Sequence, residues 1–295
     1  MNVARVSRIL EAQFPELRRV TAAYLGEGYD STVFEVNEGW VFRFPKRADV
    51  EDQLLVERRI LPILSQTSPL PLPAYRFFGQ PSPEFPRSFV GYPRIPGTPG
   101  ILFEPDAYPH LAAQLGRFFS WLHSFSVHEA ARHGVPRRET ASLIEEIREE
   151  ALADFESVRK VAQDAPLAKW HAYLKNGIDD GTAGCRTPVL VHHDLAGEHV
   201  LVDTTEKKAT GVIDWSDIAI SDPAVDFAGM FHWGGARFVE QVLSAYMREA
   251  DGDMLQRARF IAACRGTGDV VFGLKLKRPE YISAGLRALR LLISA

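Results

Sequence analysis

Apolar and polar positions fall into two regimes along this chain, separated by a proline-rich stretch. Up to about residue 95 the apolar residues come in short runs with the spacing of strands. Residues 21–25 form one run, broken by Gly26-Glu27-Gly28. Residues 32–36 and 40–44 form two more, joined by Asn37-Glu38-Gly39, whose residue types suit a hairpin turn. Residues 49–64 read as a helix, because Leu54, Leu55, Arg58 and Leu61 recur near the helical period and Asp49 can cap the start. Residues 89–95 make a last strand.

Beyond that point the helical period takes over. Leu111, Leu115, Phe118, Phe119 and Leu122 fall at i, i+4, i+7, i+8 and i+11, one face of a helix. Residues 139–160 and 163–178 are expected as further helices, and everything from Pro223 onward returns to that pattern. Between them lie three short apolar runs, at 189–191, 200–202 and 211–213. Eleven of the 19 prolines lie between Pro69 and Pro109, where they leave room for loops, short edge strands and a linker but not for a regular helix. A lobe boundary is therefore expected near residues 94–100. The pattern is α+β and bilobal: a β-rich lobe over 1–95 and a mostly helical lobe over 96–295. No internal repeat or low-complexity segment interrupts it.

Composition sets limits on function. The 295 residues suit one large domain or two lobes at about 100–200 residues per domain. Apolar residues make up 46% and charged residues 24%, so a sizeable core can form, and disorder, collagen and coiled coil are excluded as the main state. The 34 Lys and Arg against 38 Asp and Glu leave a formal net charge of −4, which argues against non-specific nucleic-acid binding. The uncharged stretch at 60–75 is broken by Pro62, Pro69, Pro71 and Pro73 and cannot cross a membrane as one helix. Residues 1–10 hold two arginines and no apolar h-region, which reads against a secretory signal. Cys185 and Cys264 have neither disulfide-framework nor zinc spacing. A cytoplasmic protein with reduced thiols and no nucleic-acid or membrane partner is expected.

The chemistry concentrates in Val191-His192-His193-Asp194-Leu195-Ala196-Gly197-Glu198-His199-Val200-Leu201, followed by Gly211-Val212-Ile213-Asp214-Trp215. Asp194 and Asp214 each stand just past a short apolar run, where an α/β framework projects catalytic groups. His199 opens the next run, so Asp194, His199 and Asp214 can meet at one point. The order matches a kinase catalytic loop followed by a metal-binding Asp. Phosphoryl transfer needs one carboxylate to orient the acceptor hydroxyl and take its proton, and a second to hold Mg²⁺.

These segments resemble the aminoglycoside phosphotransferase family of small-molecule kinases, whose signature is close to HGDLxxxNvL followed by viDW. Gly26-Glu27-Gly28-Tyr29-Asp30-Ser31, Val41-Phe42-Arg43-Phe44-Pro45-Lys46, Gly91-Tyr92-Pro93-Arg94-Ile95-Pro96-Gly97 and Ala219-Ile220-Ser221-Asp222-Pro223 resemble its 2″ branch. The likeness runs from about Gly26 to Phe227, in family order. It implies a protein-kinase-like fold, with residues 1–95 as the nucleotide-binding lobe and 96–295 carrying the catalytic loop and acceptor site. It implies ATP or GTP as phosphate donor, Mg²⁺ as cofactor, and a small-molecule antibiotic or metabolite as acceptor, handled by a monomer. Asp194 would be the catalytic Asp, and His199 and Asp214 the metal ligands. Ser31 would reach the phosphates, Arg43 would stand where the family has a strand Lys, and Glu57 would pair with Arg43. Tyr92 to Ile95 would line the base pocket through backbone groups. His192 would brace the loop.

Four departures stand out. His193 replaces the usual Gly, and His199 replaces the usual Asn, giving Mg²⁺ a nitrogen donor where it prefers oxygen. Arg43 replaces Lys, keeping the charge but changing its geometry, and Lys46 could substitute. The aromatic stretch Phe227, Phe231 and Trp233, acidic in the 2″ branch, leaves open a macrolide or other apolar acceptor, although core is the more common role of such residues. A metallohydrolase using His192, His193, Asp194, His199 and Asp214 as zinc ligands is a further alternative, as is a silent nucleotide binder. The seven residues between Asp214 and Asp222 leave no room for an activation loop, and no A-P-E follows, which argues against a protein kinase.

Overall fold

Asn37 and Glu38 both take the left-handed backbone, at φ 50° and 54°, and so close the hairpin that the turn residues foretold. The Asn37 side chain fixes the turn by accepting the Thr21 N–H and donating to the Leu17 carbonyl, both at 2.9 Å. The computed structural model describes residues 1–28, 30–105, 108, 110–163, 165–179, 184–185 and 187–293. Tyr29 of the glycine-rich run, Pro109 and Asp164 lie outside the described residues. The chain divides into two units, Met1–Pro96 and Gly97–Ala295.

In the first unit α1 (Val3–Gln13) precedes β1 (Ala22–Glu27), β2 (Ser31–Val36) and β3 (Trp40–Pro45). Then come α2 (Ala48–Leu64), β4 (Phe77–Gly79) and β5 (Phe89–Pro93). The strands form one antiparallel sheet in the order β1-β2-β3-β5-β4. Val6, Ile9 and Leu10 of α1 join Phe34, Phe42, Phe44, Phe77 and Phe89 in one buried cluster, with the Phe44 and Phe89 rings stacked at 4.5 Å.

Three expectations need correction here. Gly26-Glu27 does not break β1; the strand runs through both residues and absorbs the irregularity as a register shift between Tyr24 and Gly26. Asp49 does not cap α2. The cap position is Arg47, and Asp49 sits inside the first turn, where its carboxylate takes the Arg47 guanidinium at 3.2 Å. β5 stops at Pro93, short of Ile95, because the proline has no N–H to continue the ladder.

The second unit opens with β6 (Thr98–Pro99), followed by α3 (Leu111–His123), α4 (Val127–Arg132), α5 (Thr140–Val161) and α6 (Leu167–Asn176). Short strands β7 (Val189–Val191), β8 (Val200–Asp203), β9 (Lys208–Val212) and β10 (Ala219–Ser221) come next. Helices α7 (Ala224–Leu243), α8 (Met254–Leu276) and α9 (Pro279–Ile293) complete the unit. β7 pairs with β10, while β8 lies between β6 and β9. The apolar face read on α3 is buried as expected. The helix expected at 163–178 is shorter, since Pro166 sets its start at Leu167. β9 lies earlier than the run at 211–213, and β10 and α4 were not foreseen. Among the described residues no helix is long and apolar enough to cross a membrane.

One glycine holds the segment after β7 close to the helices. A Cβ on Gly229 of α7 would lie 1.5 Å from the Leu195 carbonyl oxygen. Gly229→Ala is therefore expected to destabilise the protein by about 1–3 kcal/mol, read as a lower midpoint in thermal unfolding.

Candidate active site

The pairing of β8 with β9 sets the site. Val200 stands opposite Val212, so the residues just outside that pair, His199 and Asp214, are brought together. Asp194 follows the end of β7 and reaches the same point. His199 Nδ1 donates to the Asp194 carbonyl at 2.6 Å and lies 3.5 Å from its carboxylate, while Nε2 lies 3.8 Å from Asp214 Oδ2. The three residues singled out from the sequence thus converge.

The loop is braced from inside. His192 is fully buried, with Nε2 donating to the Ile213 carbonyl at 3.0 Å and Nδ1 accepting the Asp194 N–H at 3.4 Å. Burial holds the imidazole down at about 4, so it stays neutral and can play both parts. With both nitrogens committed, His192 is no metal ligand. His193 takes φ 74° and Asp214 φ 61°, left-handed backbone that costs of order 1–3 kcal/mol per residue and collects at functional sites. A glycine would adopt the His193 conformation freely, which explains why the family's residue type differs at this position.

Asp226 of α7 holds that strained segment in place. Its buried carboxylate accepts the His192 N–H at 3.1 Å and the His193 N–H at 2.9 Å. It also meets His123 Nε2 at 3.1 Å, and His123 Nδ1 faces the Tyr246 hydroxyl at 2.9 Å. Burial opposes its charge, but His123 and the loop N–H groups outweigh burial and hold the carboxyl below its usual range. Arg265 of α8 donates to the His193 carbonyl. None of Asp226, His123, Tyr246 and Arg265 was found from the sequence. The available signal was an Asp set in the apolar run Ala224-Val225-Asp226-Phe227-Ala228.

Electrostatics at Asp194 and His199 differ. Asp194 keeps 44% of its side chain open, so an acceptor can reach it. The protein packed around it still raises its carboxyl to about 6, against the pull of His199 and Arg265. Burial works against charge on His199, but Asp194, Glu198 and Asp214 outweigh it and lift the imidazole to about 9.

The set fits a Mg²⁺ ion. His199 Nε2 and Asp214 Oδ2 are closer than twice the metal–ligand distance of about 2.1 Å, so one ion can touch both. The bond from Nδ1 to a backbone carbonyl is the kind of support that presents the opposite nitrogen to a metal. Ligation would have to displace the imidazole proton. Cys185, Asp222 and Asp251 also cluster closely enough to surround an ion, but Arg257 already spans both carboxylates, at 2.5 Å from Asp222 and 2.6 Å from Asp251.

In the first unit, Arg43 and Glu57 form a buried ion pair at 3.0 Å, joined by the Tyr75 hydroxyl, which donates to Glu57. Lys46 does not take the place of Arg43. Its ammonium donates to the Gly28 carbonyl at 2.7 Å and lies 3.5 Å from Glu27. Ser31 opens β2 on the same face of the sheet as Arg43, and its buried hydroxyl has no hydrogen-bond partner. Such an orphaned donor next to the glycine-rich run fits a phosphate oxygen. Tyr92 is buried in β5 opposite Val41, and Ile95 lies beyond the strand. The aromatic residues of α7 are core: Phe227 is 0%, Phe231 5% and Trp233 1% exposed. They offer no wall to an apolar acceptor.

A small antiparallel sheet unit and a helical unit with its acidic residues at the ends of short strands define a protein-kinase-like fold. Known proteins agree. A profile of the phosphotransferase enzyme family, APH, matches residues 21–261. The GDP and kanamycin complex of APH(2″)-IIIa superposes with a TM-score of 0.74, at 28% identity, covering 97% of both chains. The macrolide 2′-phosphotransferase MphH of Brachybacterium faecium gives 0.60 at 25% identity, over 92% of this chain and 91% of that one. Viomycin phosphotransferase of Streptomyces vinaceus is 27% identical over 208 residues, 67% of this chain and 68% of the relative. This chain belongs to the phosphotransferase enzyme family, and it is a small-molecule kinase.

Proposed function

We propose that this enzyme transfers the γ-phosphoryl group of ATP or GTP to a hydroxyl of an aminoglycoside antibiotic, and so confers resistance. The observation that carries the reading is the convergence of Asp194, His199 and Asp214, at 3.5 and 3.8 Å, on one open point of the loop. In this reading the Asp194 carboxylate orients the acceptor hydroxyl and takes its proton. Its pKa of about 6 suits a base working near neutrality. Asp214 and His199 hold Mg²⁺, which when bound neutralises charge on the phosphates. Arg43, fixed by Glu57, and the Ser31 hydroxyl serve the phosphates. Among residues 93–96 two are prolines, and the Arg94 N–H already goes to the Gly39 carbonyl, so Ile95 is the backbone donor left for the base.

Two observations favour an aminoglycoside. The aromatic stretch is buried, which removes the motive for an apolar acceptor, and Glu198, inside the catalytic loop, has a buried carboxylate oxygen without a hydrogen-bond partner, suited to an amine. The kanamycin complex among the relatives supports the same class. One observation favours a less cationic acceptor such as a macrolide: Asp269 is already engaged by His232 at 2.9 Å, and against the effect of burial it raises that imidazole above its usual range. The test is acceptor-dependent nucleotide turnover across aminoglycosides and macrolides with Mg²⁺ and ATP or GTP. Turnover with aminoglycosides supports the proposal; turnover confined to macrolides supports the second reading; none with either class refutes both.

His199→Asn restores an oxygen donor beside Asp214. It is expected to leave kcat within about tenfold and to lower the Mg²⁺ concentration for half-maximal rate, since no imidazole proton must be displaced. A titration of rate against Mg²⁺ checks this.

A further inference from the structure

A cavity of about 260 Å³ opens on the first unit, and none of the residues placed in the active site lines it. Its floor is apolar, made by Phe44 and Phe85, whose rings meet edge to face at 5.2 Å. Three cations surround that floor from separate parts of the chain. Arg5 comes from the first turn of α1, Lys46 follows β3, and Arg87 precedes β5. No carboxylate lines the cavity among the described residues. The guanidinium groups of Arg5 and Arg87 have no partner there, and neither has the Thr32 hydroxyl, which also faces the space.

Lys46 has Glu27, which does not line the cavity, at 3.5 Å, but Arg5 and Arg87 have no such counter-charge among the described residues; cations gathered in this way repel one another, and an anion between them relieves that repulsion. Guanidinium groups bind the planar or tetrahedral oxygens of carboxylates and phosphates in a forked manner. Phe44 and Phe85 add a surface that an ion such as inorganic phosphate cannot use, whereas a ring or short chain attached to the anion would bury apolar area against it. The volume lies just below the usual range of about 300–1,000 Å³ for small-molecule sites, so it suits a single ring and not a nucleotide.

We propose that this cavity binds a small organic anion, a phosphate or carboxylate group carried on one apolar ring or short chain. Lys46 gives the site a means of acting on the rest of the unit. The same ammonium that lines the cavity donates to the Gly28 carbonyl in the glycine-rich run. An anion in the cavity draws Lys46 toward itself and loosens that bond, so occupancy and loop position are linked, and the link works in both directions.

The test is isothermal titration of phenyl phosphate into the full chain, without nucleotide, for wild type, Arg5→Ala and Arg87→Ala. Arg5 is exposed and Arg87 half-buried, and matching thermal midpoints establish that the variants are folded. Saturable binding is expected, with Kd raised tenfold or more in each variant. Inorganic phosphate and benzyl alcohol, which each lack one half of the ligand, should bind at least tenfold more weakly than phenyl phosphate. No saturable binding overturns the site, and so does a Kd unchanged in both variants, because the probe is then bound elsewhere. The link to the loop, which rests on the nucleotide reading, has its own readout. Saturating phenyl phosphate should change KM for the nucleotide at least twofold in wild type and not in Arg87→Ala. An equal KM with and without the probe overturns the link.

Discussion

Asp194→Ala is expected to lower kcat by on the order of 10²–10⁴-fold, the usual contribution of a positioned general base. Nucleotide affinity should stay near that of wild type, because Asp194 is assigned to the acceptor and not to the donor. The separation matters physically. His199 donates to the Asp194 backbone carbonyl, which alanine retains, so the loop keeps its main anchor while losing the carboxylate. Its other supports, the His192 Nδ1 contact and the Asp226 carboxylate, act on backbone N–H groups and survive as well. Steady-state kinetics with nucleotide binding by titration checks the prediction. A kcat near wild type removes Asp194 from the role of base.

Asp226→Ala should have the largest effect on stability. The carboxylate is fully buried and answers three donors at once: two loop N–H groups and His123. Removing it strands those donors away from water and leaves the left-handed backbone of His193 without the bonds that hold it there. The expected cost is about 3–5 kcal/mol, since each buried donor left unpaired costs about 1–3 kcal/mol. In a chain of this size that lowers the thermal midpoint by roughly 10 °C. Asp226→Asn keeps the volume and one acceptor and should cost less than Ala. Because the loop carries Asp194, kcat should fall as well, on the order of 10²-fold for a displacement near 1 Å. A thermal midpoint within a degree of wild type contradicts the anchoring role.

These two residues also mark what the sequence could and could not say. Asp194, His199 and Asp214 are legible because each flanks a short apolar run, and the β8–β9 pairing that unites them is between sequence neighbours. The Arg43–Glu57 pair came from the family resemblance and not from the local pattern, although its residues lie only 14 apart, on a strand and the helix that follows it. Asp226 is not legible, because its partners lie 33, 34 and 103 residues away and no local pattern announces such bonds. His193 looked like a change of side chain, and only the backbone shows that the change falls at a position with φ 74°. The missed helix α1 is a different case. Val6, Ile9 and Leu10 fall at i, i+3 and i+4 and carried the signal, and Asn2 caps the helix by accepting the Arg5 N–H at 2.9 Å. The cap at Asp49 failed because the helix already begins at Ala48, so Asp49 lies inside its first turn, where the carboxylate takes the Arg47 guanidinium. The aromatic stretch of α7 shows that apolar residues next to a site are more often its foundation than its wall.

The most direct measurement of the central claim is mass spectrometry of kanamycin after incubation with the protein, Mg²⁺ and ATP or GTP. The account predicts kanamycin bearing one added phosphoryl group, formed in step with nucleotide consumption and absent when Asp194→Ala replaces the wild type. Nucleotide consumed with the phosphoryl group found only as inorganic phosphate, or product formed equally by the variant, would contradict it.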